Sequence, residues 1–406
     1  MTSYDVLILG AGHAGVAIAT HLRQEGFAGS IALVGDEPHA PYQRPPLTKA
    51  FLQGEMDVAD LALGFGPEDT DLDLLSGSAA VEINRSARTV RLADGSALGY
   101  GKLAIATGSR PRRLPAPEDA DIHYLTTLGD CRKLQERLPS VERAIIIGGG
   151  FIGLEVAATL RRLGRSVALV EADKRLLARG ASTALSSYLA ALHRREGVDL
   201  RLAAAVEAVE AGSVTLSDGD RLRGDVIIAG IGSLPNDGLA RQCGLACDNG
   251  ILVDEMARTS DPDIVAAGDC TRHPNAHAPV TPFRLESVQN AGDQAVTAAL
   301  TLLGRPLPYR ALPTFWSDQF DARIAMAGIS SGAGELSLRG DPATGAFSVF
   351  CFRDGRLLAV ESVNRPKDQR AARKLILTQG LTPDQARDED VDLRAITAVR
   401  QERIGA

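Results

Sequence analysis

Two glycine triplets with the same spacing are the first residues of this 406-residue chain that could do chemistry. Gly10-x-Gly12-x-x-Gly15 lies in YDVLILGAGHAGVAIATHLRQEGFAGSIALVGDE, and Gly148-x-Gly150-x-x-Gly153 in RAIIIGGGFIGLEVAATLRRLGRSVALVEAD. In such a turn the first Gly permits the bend, the second lets the backbone approach a pyrophosphate, and the third lets helix pack against strand. The helix start then presents N–H groups and a partial positive charge to the anion. One triplet alone is weak evidence. Here both copies follow an apolar strand, open a helix and have a carboxylate about 20 residues on, which makes coincidence a poor explanation. That carboxylate, placed to accept from ribose hydroxyls, is Asp36 or Glu37 in the first copy and Glu171 in the second.

Other groups converge on the first copy. DIVAAGDC is an apolar strand ending in Gly268-Asp269, where a carboxylate would meet a polyol chain. LAIATGSRP returns Thr107 and Gly108 to the same edge. PYQRPPLTK, residues 41–49, is a proline-stiffened loop that holds two cations, Arg44 and Lys49, at fixed positions beside a strand end.

The elements that must position these residues repeat. After each βαβ start comes an alternating stretch, ARTVRLADGSALGYGKLAIATG and then GSVTLSDGDRLRGDVIIAGIG, with Asp94-Gly95 and Asp218-Gly219 as hairpin turns. The last part mixes strand-like GAFSVFCFRDGRLLAVESV with helical DQRAARKLILTQG. The expected class is α/β, with two Rossmann-like, three-layer ββα dinucleotide-binding domains and a C-terminal α+β domain. The expected boundaries are 1–112 with 247–320 for the first, 113–246 for the second, and 321–406 for the third.

Composition narrows the function. A net charge of -7 argues against nucleic-acid binding as a main activity. No apolar run is long enough to span a bilayer, and the N-terminus enters a strand at once, so a cytoplasmic protein without a membrane partner is expected. The five cysteines, at 131, 243, 247, 270 and 351, include no Cys-x-x-Cys pair, and no metal site is expected.

Taken together, the two triplets, ATG, GD, PYQRPPLTK, RLESVQNAGDQA and FWSDQFD resemble the pyridine nucleotide-disulfide reductase superfamily. Within it they resemble the FAD-dependent ferredoxin reductases that serve oxygenases, of the putidaredoxin and biphenyl dioxygenase reductase type. The resemblance covers essentially the whole chain. It implies FAD in the first pocket and a nicotinamide dinucleotide in the second. Implied cofactor-binding residues are Gly10, Gly12, Gly15, Asp36, Glu37, Arg44, Lys49, Val81, Thr107, Gly108, Arg112 and Asp269. Glu286, Ser287 and Val288 join them through backbone groups, and Gly148, Gly150, Ile152, Gly153, Glu155, Glu171 and Gly232 complete the set. Trp316 is expected either to pack against the flavin edge or to fill a domain interface.

Lys49 and Glu155 are implied as the catalytic pair at the junction of flavin and nicotinamide. A cation near the flavin favours its reduced, anionic ring, and burial of that cation demands a counter-charge. Hydride is expected to pass from nicotinamide C4 to flavin N5, with positioning as the protein's main contribution. Glu171, followed by Ala172 and Asp173, disfavours a 2′-phosphate, so NADH is the expected donor, although Arg175 and Arg179 lie further on. The disulfide reductases carry a redox thiol just after the first βαβ unit, but Pro41 to Ala62 has none here. Electrons are therefore expected to leave for a [2Fe-2S] ferredoxin that feeds a cytochrome P450 or a ring-hydroxylating dioxygenase. The cluster Arg365, Lys367, Arg370, Arg373 and Lys374 is either its docking face or a solvated helix. Rubredoxin reductase, NADH oxidase and a redox-sensing protein like apoptosis-inducing factor are the competing readings.

Overall fold

The computed structural model describes residues 1–64, 72–278 and 280–396. These fall into two compact units. The first comprises Met1–Arg44, Asp57–Arg110 and Ser233–Pro313, and the second Pro45–Met56, Pro111–Gly232 and Thr314–Ala406.

In the first unit the strand Thr2–Leu9 pairs in parallel with Ile31–Val34 on one side and with Ala97–Ile105 on the other. Asp73–Leu75 extends the sheet beyond Ile31–Val34, and Ile264–Ala266 pairs with the far end of Ala97–Ile105. The apolar run of the first strand is continuous because both of its faces are covered. Val6 and Ile8 pack with Val16, Ile18 and Leu22 of the helix His13–Gln24 and with Ala295 and Ala299 of the helix Val288–Leu302. Leu7 and Leu9 face the opposite cluster, with Val90, Ile251 and Leu245. An antiparallel meander, Ala80–Asn84 and Thr89–Leu92 running into Ala97–Ile105, turns at Asp94-Gly95.

The second unit repeats this plan with one change. Its parallel sheet runs in the order Val198–Arg201, Ser166–Val170, Arg143–Ile147, Val226–Ala229, Ile122–His123. The meander Val206–Glu210, Ser213–Leu216, Arg221–Arg223 forms a separate three-stranded sheet, which packs Val214, Leu216 and Leu222 over Ile145 and Ile227. Here the chain breaks at Gly224, between the last meander strand and the parallel strand, where the first unit runs straight through. Both meanders carry a register shift near their first residues, at Val81 in one and between Val206 and Ala208 in the other.

Also in the second unit is a five-stranded antiparallel sheet, ordered Thr314–Gln319, Ala322–Gly328, Arg356–Val363, Ala346–Arg353, Glu335–Asp341. The amphipathic helix Pro366–Thr378 buries Ala371, Ala372, Leu375 and Ile376 and leaves its charged face in water. The α/β class, the two dinucleotide-binding folds and the added C-terminal α+β region are all present. No described helix is long and apolar enough to cross a membrane.

Candidate functional site

The two glycine turns share one geometry. Gly10 and Gly148 have φ of +112° and +110°, which an L side chain rarely adopts, and a Cβ on either would overlap a carbonyl oxygen, Ala106 O or Gly230 O. A Cβ on Gly15 or Gly153 would overlap the carbonyl of Gly10 or Gly148, so these two glycines exist for close packing of helix on strand. The middle glycine differs. Above Gly12 nothing lies within 4 Å, and at Gly150 the nearest atom is Gly230 O at 3.8 Å. Each of these two is also the N-cap of its helix and offers no side-chain cap to the first N–H groups. Open space over uncapped donors is what a diphosphate needs, so both turns fit the dinucleotides expected there.

Around the first turn, Glu37 is already engaged. Arg44 Nη2 donates to it at 2.7 Å and the Tyr42 hydroxyl at 2.6 Å, while Arg44 also lies over the Tyr42 ring. Asp36 stays exposed at the strand end. His13 opens the helix as a neutral imidazole, its pKa pushed down to about 4 by burial and by the Arg44 cation. Thr107 and Asn236 exchange backbone and side-chain hydrogen bonds of 2.7 and 2.8 Å beside Gly108.

Asp269 is crowded by protein and, among the described residues, accepts only a 3.2 Å hydrogen bond from the Ser109 hydroxyl. Burial and the nearby Glu286 carboxylate push its pKa up to about 7, against the opposing pull of Ser109, Arg284 and Arg44. With one weak hydroxyl donor, this carboxyl keeps acceptor capacity to spare, which fits a polyol chain. Glu286 is bound by Arg284 and the Ser233 hydroxyl. Ser287 uses its hydroxyl to cap the helix that Val288 begins, accepting from Asn290 N at 3.1 Å. Val81 sits half-buried in the register shift of its strand pair. Ser109, Arg284 and Ser233 were not foreseen, because nothing in their local sequence marks them.

In the second unit Glu171 folds back onto the turn. Its carboxylate accepts from Gly149 N at 2.6 Å and from Asp173 N at 2.8 Å. Arg175 donates to the carbonyls of Ala181 and Ala178, at 2.8 and 2.5 Å, and is tied to its own loop. Arg179 lies near Gly232, whose φ is +101°. Gly232 O accepts from Arg112 N at 2.9 Å, while the Arg112 side chain is exposed. Ile152, in the first turn of the helix Phe151–Arg162, is 43 % exposed, an apolar surface next to the glycine turn.

The second unit also holds the pair expected from the resemblance. Lys49 Nζ lies 2.8 Å from Glu155 Oε1, with a fifth of the Lys49 side chain exposed and Glu155 buried. The turn Pro45–Thr48 delivers Lys49, and the helix Phe151–Arg162 delivers Glu155. Two hydroxyls complete the carboxylate: Thr48 donates to Oε2 and Ser317 to Oε1, each at 2.6 Å. Trp316, next to Ser317 on the strand Thr314–Gln319, is 43 % exposed.

All five cysteines are unpaired, and burial raises the pKa of each, to about 12 at Cys131 and about 11 at Cys270. Cys131 is nevertheless brought to the proline loop by tertiary structure, its Sγ 3.2 Å from Leu47 O. It is fully buried and remains a thiol. No described cluster of side chains could hold a metal ion.

In the basic cluster, Lys367, Arg370, Arg373 and Lys374 are exposed. Arg365 is not part of that face. It pairs with Asp368 at 2.9 Å and Glu389 at 2.8 Å, and so anchors the helix start.

The fold and both turns define a two-dinucleotide oxidoreductase with an appended C-terminal sheet. Residues 4–295 match the pyridine nucleotide-disulphide oxidoreductase family, and residues 314–397 match the reductase C-terminal family. The chain belongs to the pyridine nucleotide-disulphide oxidoreductase family. It is 44% identical over 404 residues to rhodocoxin reductase of Rhodococcus erythropolis, covering 97% of this chain and 94% of that one. The ferredoxin reductase for the CYP199A2 system of Rhodopseudomonas palustris superposes with a TM-score of 0.92 at 41% identity, over 97% of this chain and 100% of that one. The covalent complex of putidaredoxin reductase with putidaredoxin gives a TM-score of 0.93 at 39% identity, over 99% and 100%.

Proposed function

We propose that this chain is an FAD-dependent NADH:ferredoxin oxidoreductase that supplies single electrons to a [2Fe-2S] ferredoxin of a cytochrome P450 or ring-hydroxylating dioxygenase system. The observation that carries this reading is a matched pair of glycine turns, each open above its middle glycine, in a chain whose five cysteines are all unpaired. When bound, the flavin accepts hydride from the nicotinamide and releases the electrons one at a time. In this reading the first turn and its helix start hold the FAD diphosphate, Asp36 accepts from its ribose, and Asp269 from its ribityl chain. Val81, Thr107, Gly108, Arg112, Glu286, Ser287 and Val288 complete the FAD site, while Arg44 and His13 stand by the diphosphate. Gly148 and Gly150 shape the cradle of the second diphosphate and Gly153 lets its helix pack close, Glu171 holds the ribose, and Ile152 and Gly232 border the nicotinamide half. Lys49 and Glu155 orient the reacting end, and Trp316 offers an aromatic face beside it. The domain division proposed with it is 1–112 with 247–320 for FAD, 113–246 for the nicotinamide dinucleotide and 321–406 for the C-terminal part. The setting is the reducing cytoplasm, where unpaired thiols persist.

The test of the whole reading is an anaerobic titration of the reconstituted protein with NADH, with and without a [2Fe-2S] ferredoxin. Bleaching of the flavin by NADH and its reoxidation by ferredoxin are expected. A protein that never turns yellow, or whose reduced form is inert to ferredoxin, would refute it.

The charge of Glu171 favours NADH because it repels a 2′-phosphate. Glu171→Gln keeps an acceptor for Gly149 N but removes that repulsion. Measured as kcat/KM, the preference for NADH over NADPH is expected to fall about tenfold, the effect of a single charge in a partly dry site. An unchanged ratio would remove Glu171 from the specificity role.

The exposed cations of the C-terminal helix are the proposed docking face. Replacing Arg370, Arg373 and Lys374 together with Ala should slow ferredoxin reduction about tenfold at low ionic strength and much less at high salt. NADH-to-dye turnover should stay as it was. Equal loss in both assays would locate the docking surface elsewhere.

A further inference from the structure

Glu155 terminates a directed chain of hydrogen bonds that no expectation from the sequence included. Ser317 Oγ donates to Glu155 Oε1 at 2.6 Å. Gln319 Nε2 donates to that same Ser317 Oγ at 3.1 Å, and Gln319 Oε1 faces His193 Nε2 at 3.0 Å. Ser317, Gln319 and His193 are fully buried. Ser317 and Gln319 alternate with exposed residues on the strand Thr314–Gln319, so both point to the same covered side. His193 comes from the helix Thr183–Arg195.

The directions are set by which atoms can donate. Burial pushes the His193 pKa down to about 4, so the imidazole is neutral and carries one N–H. Its Nδ1 has no partner among the described residues, which leaves Nε2–H as the proton facing the Gln319 carbonyl. The Gln319 amide must then turn its NH₂ toward Ser317. With its oxygen receiving that donor, the single Ser317 proton is left for Glu155. Each link thus fixes the next, and all three donors run toward the carboxylate. Thr48, whose own carbonyl accepts from Thr159 at 2.8 Å, holds the other carboxylate oxygen from the opposite side.

We infer that Ser317, oriented by Gln319 and His193, is a positioning residue that fixes the Glu155 carboxylate and, through it, the Lys49 ammonium at the nicotinamide end of the second dinucleotide site. This rests on the functional reading above. The C-terminal sheet is then part of the hydride-transfer apparatus in addition to any role in docking.

The test compares NAD⁺ and ADP-ribose, which share every group except the nicotinamide. Affinities for both would be measured by calorimetry on the oxidised holoprotein as wild type, Ser317→Ala and Ser317→Thr, with thermal melting as the control for folding. Loss of one charge-assisted hydrogen bond should weaken NAD⁺ about tenfold in Ser317→Ala. ADP-ribose should be unaffected. Ser317→Thr, which keeps the hydroxyl, should bind NAD⁺ as the wild type does. The rate of flavin reduction at saturating NADH should fall with the NAD⁺ affinity and recover with it. If Ser317→Ala binds NAD⁺ normally, or Thr is as impaired as Ala, the inference fails while the functional reading stands. If the wild type binds neither ligand, that reading fails first. If Ser317→Ala does not fold, Gln319→Leu gives the same comparison, because it frees the Ser317 hydroxyl to turn away from Glu155. Unchanged NAD⁺ binding there would equally overturn the inference.

Discussion

Gly12→Val will give a folded protein without flavin, and Gly150→Val a yellow protein that barely uses NADH. Both middle glycines have backbone angles open to any residue, with φ of -88° and -80° in the extended region. Neither position has protein atoms close enough to clash with a Cβ. Valine therefore costs the fold little beyond a weaker helix N-cap, about 1 kcal/mol. It does fill the space a diphosphate must enter, and it covers the N–H groups the anion would use. Losing several charge-assisted hydrogen bonds to a diphosphate should weaken binding by on the order of a thousandfold or more. The contrast with the third glycine makes the assignment sharp. Gly15→Ala would overlap Gly10 O whether or not a cofactor is present, so that variant should unfold instead of merely losing colour. Visible absorbance per protein, thermal melting and steady-state KM for NADH separate these outcomes. A Gly12→Val protein that retains full flavin content would overturn the assignment of the first turn.

Lys49→Met is the second large effect. Removing the ammonium leaves Glu155 buried with, among the described residues, only Thr48 and Ser317 as donors. An unpaired buried charge is costly, and the fifth of Lys49 that already meets water moderates the loss to about 2 kcal/mol. Hydride transfer should fall about a hundredfold, within the range seen when one positioned charge is removed from a site that excludes water. The double variant Lys49→Met with Glu155→Leu should regain most of the stability, because no charge is left unmatched. It should regain none of the rate. Recovery of turnover in the double variant would make the pair a structural strut and nothing more. Stopped-flow reduction by NADH and denaturant melts measure the two quantities independently.

Much of this is legible in the chain alone. The glycine triplets could be placed because their function depends on local backbone geometry: strand, bend and helix start are adjacent in sequence, so the pattern is complete within about thirty residues. The hairpins at Asp94-Gly95 and Asp218-Gly219 were legible for the same reason, as both second residues take positive φ, +87° and +88°. The pairing of Lys49 with Glu155 came from resemblance, since 106 positions separate them and no local rule links the two.

What the sequence determined by itself was the set of short-range devices: two glycine turns at helix starts, strands apolar on both faces, an amphipathic helix with a charged side, and cysteines without a Cys-x-x-Cys pair. Tertiary structure alone decided which distant side chains finish each device. It assigned Arg365 to Asp368 and Glu389 instead of the exposed basic face, and set inert Cys131 against the loop that carries Lys49. It brought Ser317 and Thr48 onto Glu155 from strands and turns more than a hundred residues away. The physical reason is that a backbone turn satisfies its own geometry. A buried carboxylate must instead find donors wherever the packed chain offers them, and contacts of that separation leave no periodic trace in the sequence.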